Sequence, residues 1–192
     1  MRRDSFIGPG DHVTTGVISA ITSVPAGNTI ANTTAETAYE TQPPIPAGSL
    51  AVGDVIFLRL GGVYSVAAVA PSVTGRVKIG AVEILNTGSL TALSSLTTDR
   101  AWWAEIWITV CAVGVSGKIE AMGKVEFTTP TNLAVGTALS SNGQITVDTT
   151  IENLLITSIQ FSLASASNSI TLRQTSFDVR HARSVWRAGL RM

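Results

Sequence analysis

The sequence predicts an all-β fold, an antiparallel β-sandwich of jelly-roll-like form, and three observations predict it. From Asn28 onward, short runs rich in Val, Ile, Thr and aromatic residues recur between Gly, Pro, Asn and Ser punctuation. Several runs alternate apolar and polar positions with the two-residue period of a half-buried strand. No 3.6-residue pattern lasts beyond about two turns; a helix over 91–100 is conceivable, but Ser94-Ser95 and Thr97-Thr98 argue for a loop there.

Taken in order, residues 1–27 carry Gly8-Pro9-Gly10 and Pro25-Ala26-Gly27 around one apolar stretch at 17–21. They read as an irregular N-terminal arm with at most one short strand. Residues 28–180 form the sandwich domain, and 181–192 a short basic C-terminal tail. Within the domain, 54–60 and 63–69 are two β-branched runs joined by Gly61-Gly62, a hairpin signal. Residues 76–85 alternate as one strand with a wet face. Residues 102–113 place Trp102, Ile106, Ile108 and Val110 on one face and Trp103, Glu105, Trp107, Thr109 and Cys111 on the other, which predicts a central strand covered on both sides.

Residues 118–127 turn Ile119, Ala121, Val125 and Phe127 inward and Lys118, Glu120, Lys124 and Glu126 to water, and should pair with the aromatic strand through the turn at 114–117. Leu155, Thr157, Ile159, Phe161 and Leu163 share a face. In 170–179 the apolar phase moves from Ile170 and Leu172 to Phe177 and Val179, predicting a bulge near Gln174. Six to nine strands, with longer links at about 85–101 and 128–145, suit two sheets joined by crossovers.

Composition narrows the function classes. Thirteen basic and thirteen acidic residues give zero net charge, and only 14% of residues are charged against roughly 25% in ordinary soluble domains. Such a surface gives a free monomer little protection against association, so residence in an oligomer explains it better than an ordinary Thr/Ser-rich secreted domain. Cys111 is the only cysteine, which excludes an intrachain disulfide and reads as a small buried hydrophobe. No apolar stretch of signal-peptide length follows Met1, and the run 106–115 is too short to span a bilayer, so a protein of the cytoplasm with no membrane partner is expected.

A search for chemistry returns little. His12 and His181 have no Cys, Asp or Glu at metal-ligand spacing, and no nucleophile elbow, phosphate loop or dinucleotide fingerprint occurs. No cofactor, metal or catalytic residue is assigned, and the chain reads as a non-enzyme. Two features stand out. Glu105 lies between Trp103 and Trp107 on one strand face: either the indoles stack on sugars while the carboxylate accepts hydroxyl hydrogen bonds, or the indoles pack at a subunit interface with Glu105 on an arginine. Interface cores are enriched in aromatics, which favours the second. The tail carries Arg180, Arg183, Arg187 and Arg191 with no acid after Asp178, alongside Trp186 and Leu190. It reads as a docking peptide for another protein, a frayed end, or a nucleic-acid arm. The apolar anchors favour docking, and the lack of any other basic surface disfavours nucleic acid.

Asn32-Thr33-Thr34-Ala35-Glu36-Thr37 followed by Ile45-Pro46-Ala47-Gly48-Ser49-Leu50-Ala51-Val52-Gly53-Asp54-Val55-Ile56 resembles a pattern of tailed-phage structural proteins, in which a short "TxxET" strand precedes an "IPAGxLxVGDxI" turn and strand. Residues 146–150 and 165–174 resemble the closing segments of the same proteins, so the similarity spans roughly 28–180. The resemblance implies a jelly-roll-like domain that assembles as a homotrimer on virions. The expected role is a capsid decoration (cement) protein, made in the host cytoplasm, that binds the major capsid protein on the outer capsid surface. The alternative is a tail-fibre, spike or glycan-binding receptor component. The resemblance carries no catalytic residues. Within the matched stretch, Pro46 sets φ and Gly48 permits the sharp turn, a rigid corner before Asp54.

Overall fold

A computed structural model describes residues 28–91, 93–131 and 134–182. The strands are β1 (Thr29–Ala31), β2 (Thr37–Ala38), β3 (Pro44–Ile45), β4 (Val55–Val66), β5 (Val73–Ile79), β6 (Val82–Asn86), β7 (Thr97–Ala112), β8 (Gly117–Thr128), β9 (Ala134–Ser140), β10 (Ile145–Val147), β11 (Asn153–Phe161) and β12 (Ser169–Arg180). They form two antiparallel sheets. The larger runs β1-β12-β4-β7-β8-β10 with β9 also on β8, and the smaller runs β2-β11-β5-β6 with β3 also on β11. The pairing is nested: β4 with β12 in one sheet, β5 with β11 in the other. A ribbon rolled into a sandwich in this way is jelly-roll-like. The arm at 1–27 and the tail from 183 lie outside the described residues.

The core lies between the sheets. Ile56, Leu58, Leu60 and Tyr64 of β4, Trp102, Ile106, Ile108 and Val110 of β7, and Ile119, Val125 and Phe127 of β8 face Val77, Ile79, Leu155, Ile159 and Phe161 of the smaller sheet. The tyrosine at 64 donates to Thr128 O at 2.7 Å and meets Phe127 edge to face, so its polar tip costs little inside the core. On the outside of the smaller sheet, Glu36 accepts from Ser158 Oγ at 2.7 Å and pairs with Lys78 and Arg76, fastening β2 across β11 to β5.

Much of the sequence reading holds. β8 alternates as expected and pairs with β7, β12 shifts register between Leu172 and Gln174, and Gly48 turns at φ +63°. Other expectations need correction, beginning with the strand count, which is twelve among the described residues and not six to nine. The runs on either side of Gly61-Gly62 are one strand, β4, and no hairpin forms there. The span 76–85 is two strands, because Gly80 at φ +58° and Ala81 make a two-residue hairpin turn between Ile79 and Val82. The link at 128–145 contains β9, an edge strand with no charged residue to announce it. Cys111 is only half-buried: alternation along β7 sets it on the outer face with Trp107 and Thr109, beside the point where the β7–β8 register shifts between Val110 and Ala112.

The glycine pair was misread because its reason is tertiary. Gly62 lies opposite Trp102 on β7 and Leu172 on β12, and the Trp102 indole N–H crosses it to donate to Thr171 O at 3.1 Å. A Cβ at residue 62 would stand 1.8 Å from that carbonyl oxygen and 3.0 Å from Trp102 Nε1. A glycine inside a strand here marks close approach, not a turn. Gly62→Ala should lower the unfolding free energy by roughly 3 kcal/mol through overpacking against backbone. Urea denaturation measures this, and wild-type stability in the variant would contradict the packing described.

Candidate functional site

Successive side chains of a strand point to opposite faces. Trp102, Ala104, Ile106, Ile108 and Val110 are buried, so Trp103, Glu105 and Trp107 share the outer face of the larger sheet. Strand register arranges this face in rungs. Phe57, Trp107 and Met122 are directly opposed across β4, β7 and β8; so are Arg59, Glu105 and Lys124, and then Gly61, Trp103 and Glu126.

The middle rung is ionic. Arg59 Nε lies 3.2 Å from Glu105 Oε1, and Lys124 Nζ lies 3.8 Å from Glu105 Oε2 and 3.8 Å from Glu126 Oε1. The same ammonium sits 4.2 Å above the Trp103 ring, a cation–π contact. The neighbouring rung is apolar. Trp107 leans on Phe57 with ring centroids 5.3 Å apart, and the guanidinium groups of Arg59 and Arg180 stand 4.7 and 5.4 Å from the Phe57 centroid. Phe57 is thereby only 7% exposed, whereas Trp107 and Met122 are 36% and 58% exposed.

The structure therefore brings together Trp103, Glu105, Trp107 and Arg180, which the sequence analysis treated as two separate features. It adds Phe57, Arg59, Met122 and Lys124, which that analysis missed as partners. Arg183, Trp186, Arg187 and Leu190 lie outside the described residues. Glu105 does meet an arginine, but within its own chain. The expectation that β7 is covered on both sides is corrected: its outer face has no second layer among the described residues, because β11, β5 and β6 all stack on the inner one. Both Glu105 oxygens are occupied by cations and one face of Trp103 by an ammonium, so sugar hydroxyls and sugar rings would have to displace contacts already made. Between the sheets, Tyr39, Leu60, Trp102 and Ile159 help line a cavity of about 50 Å³, room for water but not for a substrate-sized ligand.

A second constellation lies at the end of the sandwich where β12 finishes. Asp54 is fully buried, and its carboxylate accepts from Ala51 N at 2.8 Å, from Ala182 N at 2.8 Å and bonds His181 Nδ1 at 2.9 Å. This carboxylate fastens the first two residues after β12 to the turn before β4. Burial pushes the Asp54 carboxyl up, but the amides of Ala51 and Ala182 together with His181 outweigh it and hold it below the usual carboxylate range. In the sequence Asp54 stands only as the residue that follows the Pro46–Gly48 corner, with no partner indicated.

Neither a protein-family model nor a curated protein matches this sequence.

A carboxyl whose value is depressed by folding stabilises the protein above its unfolded value, and that stability is lost as the pH falls through the folded one. Asp54→Asn should therefore cost roughly 2 kcal/mol near neutrality, since buried donors lose their anionic acceptor. It should also flatten the decline in stability below about pH 4. Denaturant titrations across that range measure both, and an acid decline as steep as in the wild type would show that other carboxyls govern it.

Proposed function

We propose that this chain is a non-enzymatic structural subunit of a tailed-phage particle: a homotrimeric capsid decoration protein that binds the major capsid protein on the outer capsid surface and stabilises the shell. The observation that carries the reading is the outer face of the larger sheet. Trp107 and Met122 stand exposed on a seat of Phe57, and the charges around them are already paired within the chain. An aromatic and methionine centre inside a polar rim is the composition of an interface core. Ions that bring their own partners lose less on leaving water than unpaired ones. The sparse charge of the whole sequence and its resemblance to virion proteins over 28–180 support the same reading. In this reading the face is the contact between copies in the trimer.

The wild-type protein should have the mass of a trimer in solution and decorate expanded capsids of the parent phage in electron micrographs. Trp107→Asp, at a position that tolerates a polar group, should leave a folded chain and weaken self-association at least about 30-fold, the equivalent of a 2 kcal/mol hot spot. A wild-type monomer that ignores capsids would sink the proposal. Deleting residues 183–192 spares the Asp54 contacts and should leave folding intact while reducing incorporation into particles; normal incorporation would remove the tail from the docking apparatus.

A further inference from the structure

The two ends of the sandwich differ in charge. At the end away from Asp54, three loops meet: 67–72 between β4 and β5, 87–96 between β6 and β7, and 162–168 between β11 and β12. None of the three contains a charged residue. Ala67 and Asn168 join them. The Ala67 carbonyl accepts from Leu96 N at 3.0 Å, and its amide donates to the Asn168 side-chain carbonyl at 3.0 Å. Asn168 is fully buried, and its side-chain amide donates in turn to Leu163 O at 3.1 Å. The Ser162 amide donates to Ser72 O and the Ser72 amide to Ser162 Oγ, each at 2.9 Å. The loops are thus held in place before any partner arrives, which removes part of the ordering cost of binding.

Val69, Leu96 and Leu163 project from this end, exposed by 66%, 79% and 43%. Leu96 does so at φ +51°, a left-handed backbone conformation that strains a leucine and that Gly or Asn adopts at less cost. The core gains nothing from that side chain, and strain kept on an outward-facing group points to a function outside the core. Beside it lies an open groove of about 490 Å³, lined by Ser65, Val66, Ala67, Thr97, Thr98 and Ser167 among others. The Asp54 end also exposes apolar residues, Val52, Val115 and Ile151, but Asp148 and Glu152 flank Ile151 with no base on that loop. A surface laid on that end would have to pair the two carboxylates or take them out of water, and one laid on the uncharged end would not.

Resting on the decoration-protein reading, we infer that the uncharged end docks on the capsid protein, and that the surface it meets is itself an uncharged stretch of polypeptide. Val69, Leu96 and Leu163 supply apolar contact, and the serines and threonines of the groove supply hydroxyls for the partner's backbone. The three loops hold no Lys or Arg for a phosphate or a lipid headgroup, and no aromatic ring for a sugar to stack on. A charged group of the partner buried here would find no counter-ion, so complementarity calls for its absence on both sides. The outer sheet face stays free for contact between copies, so the two partners do not compete.

The test uses the full-length trimer and expanded capsids of the parent phage prepared without the protein. Leu96→Asn relieves the backbone strain and removes the apolar group. It should keep the trimer mass and melt no lower than the wild type while weakening capsid binding at least about tenfold. Val69→Asp and Val69→Lys should each weaken binding to a similar extent, whatever the sign of the charge, and Ile151→Asp at the Asp54 end should bind as the wild type does. Wild-type binding by Leu96→Asn and Val69→Asp, or loss of binding by Ile151→Asp alone, overturns the assignment of this end. A lower melting temperature in Leu96→Asn overturns the strain argument. Loss of the trimer in Val69→Asp overturns the docking site, since this end would then be a contact between copies. Binding kept by only one of Val69→Lys and Val69→Asp reveals a charge opposite and overturns the uncharged partner. Wild-type binding to phosphatidylcholine vesicles that Val69→Asp abolishes overturns the capsid protein as the occupant. A wild-type protein that binds no capsid overturns the decoration reading itself and is distinguishable from all of these.

Discussion

The indole of Trp102 occupies space that exists only because residue 62 has no side chain. Its N–H spans from β7 over β4 to the Thr171 carbonyl on β12, so one side chain ties the three central strands of the larger sheet at a single level. The ring also lies parallel to that of Tyr39 at 6.5 Å, which brings the segment between β2 and β3 against the same point. Register across β12-β4-β7 is thereby fixed from inside. A slip by one residue would turn Trp102 to water and drive Trp103 into the core, and the whole inward set from Ala104 to Val110 would follow.

That constraint produces the outer face as well. Once Trp102 points inward, Trp103, Glu105 and Trp107 must point outward, and the partner rungs follow from pairing. A solvated face would be served by threonine and lysine, as the outward positions of β5 and much of β8 are. Here one rung carries Phe57, Trp107 and Met122 instead, and two arginines close over Phe57. Each exposed ion pair is worth at most about 1 kcal/mol. Their effect is therefore better described as covering the aromatic seat and neutralising its surround than as holding the domain together. Stability comes from the buried layer between the sheets.

How much of this was legible in the sequence depended on the range of the interaction. β8 announced itself because its alternation is local and its inward face unambiguous. The β12 bulge was legible because it displaces the apolar phase within ten residues. Gly61-Gly62 was not, since a glycine demanded by an indole from another strand looks the same in sequence as a glycine demanded by a turn. Gly80 posed the reverse problem: the turn is so short that alternation seems to run straight through it. The ionic rung depends on register. Counting back from the Ala112–Lys118 pair without the irregularity at Cys111 would set Glu105 opposite Val125, whereas the shifted register sets it opposite Lys124. The Asp54–His181 contact joins residues 127 positions apart and leaves no local trace at all.

Asp54 links these levels. Its backbone bonds join the Gly53 turn to Val110 at the end of β7, and its carboxylate holds the residues that follow β12. The same short segment therefore sets where β4 begins, ties the turn before it to the central sheet and fixes where the chain passes after β12. A buried carboxylate is expensive to desolvate and is tolerated when several donors converge on it. Three donors converge here, two of them from residues beyond the last strand. A chain end with no positional role would not need an anion taken fully out of water to hold it. The geometry at Asp54 is that of an anchor, and what it anchors is the direction in which the C-terminal residues leave the sandwich.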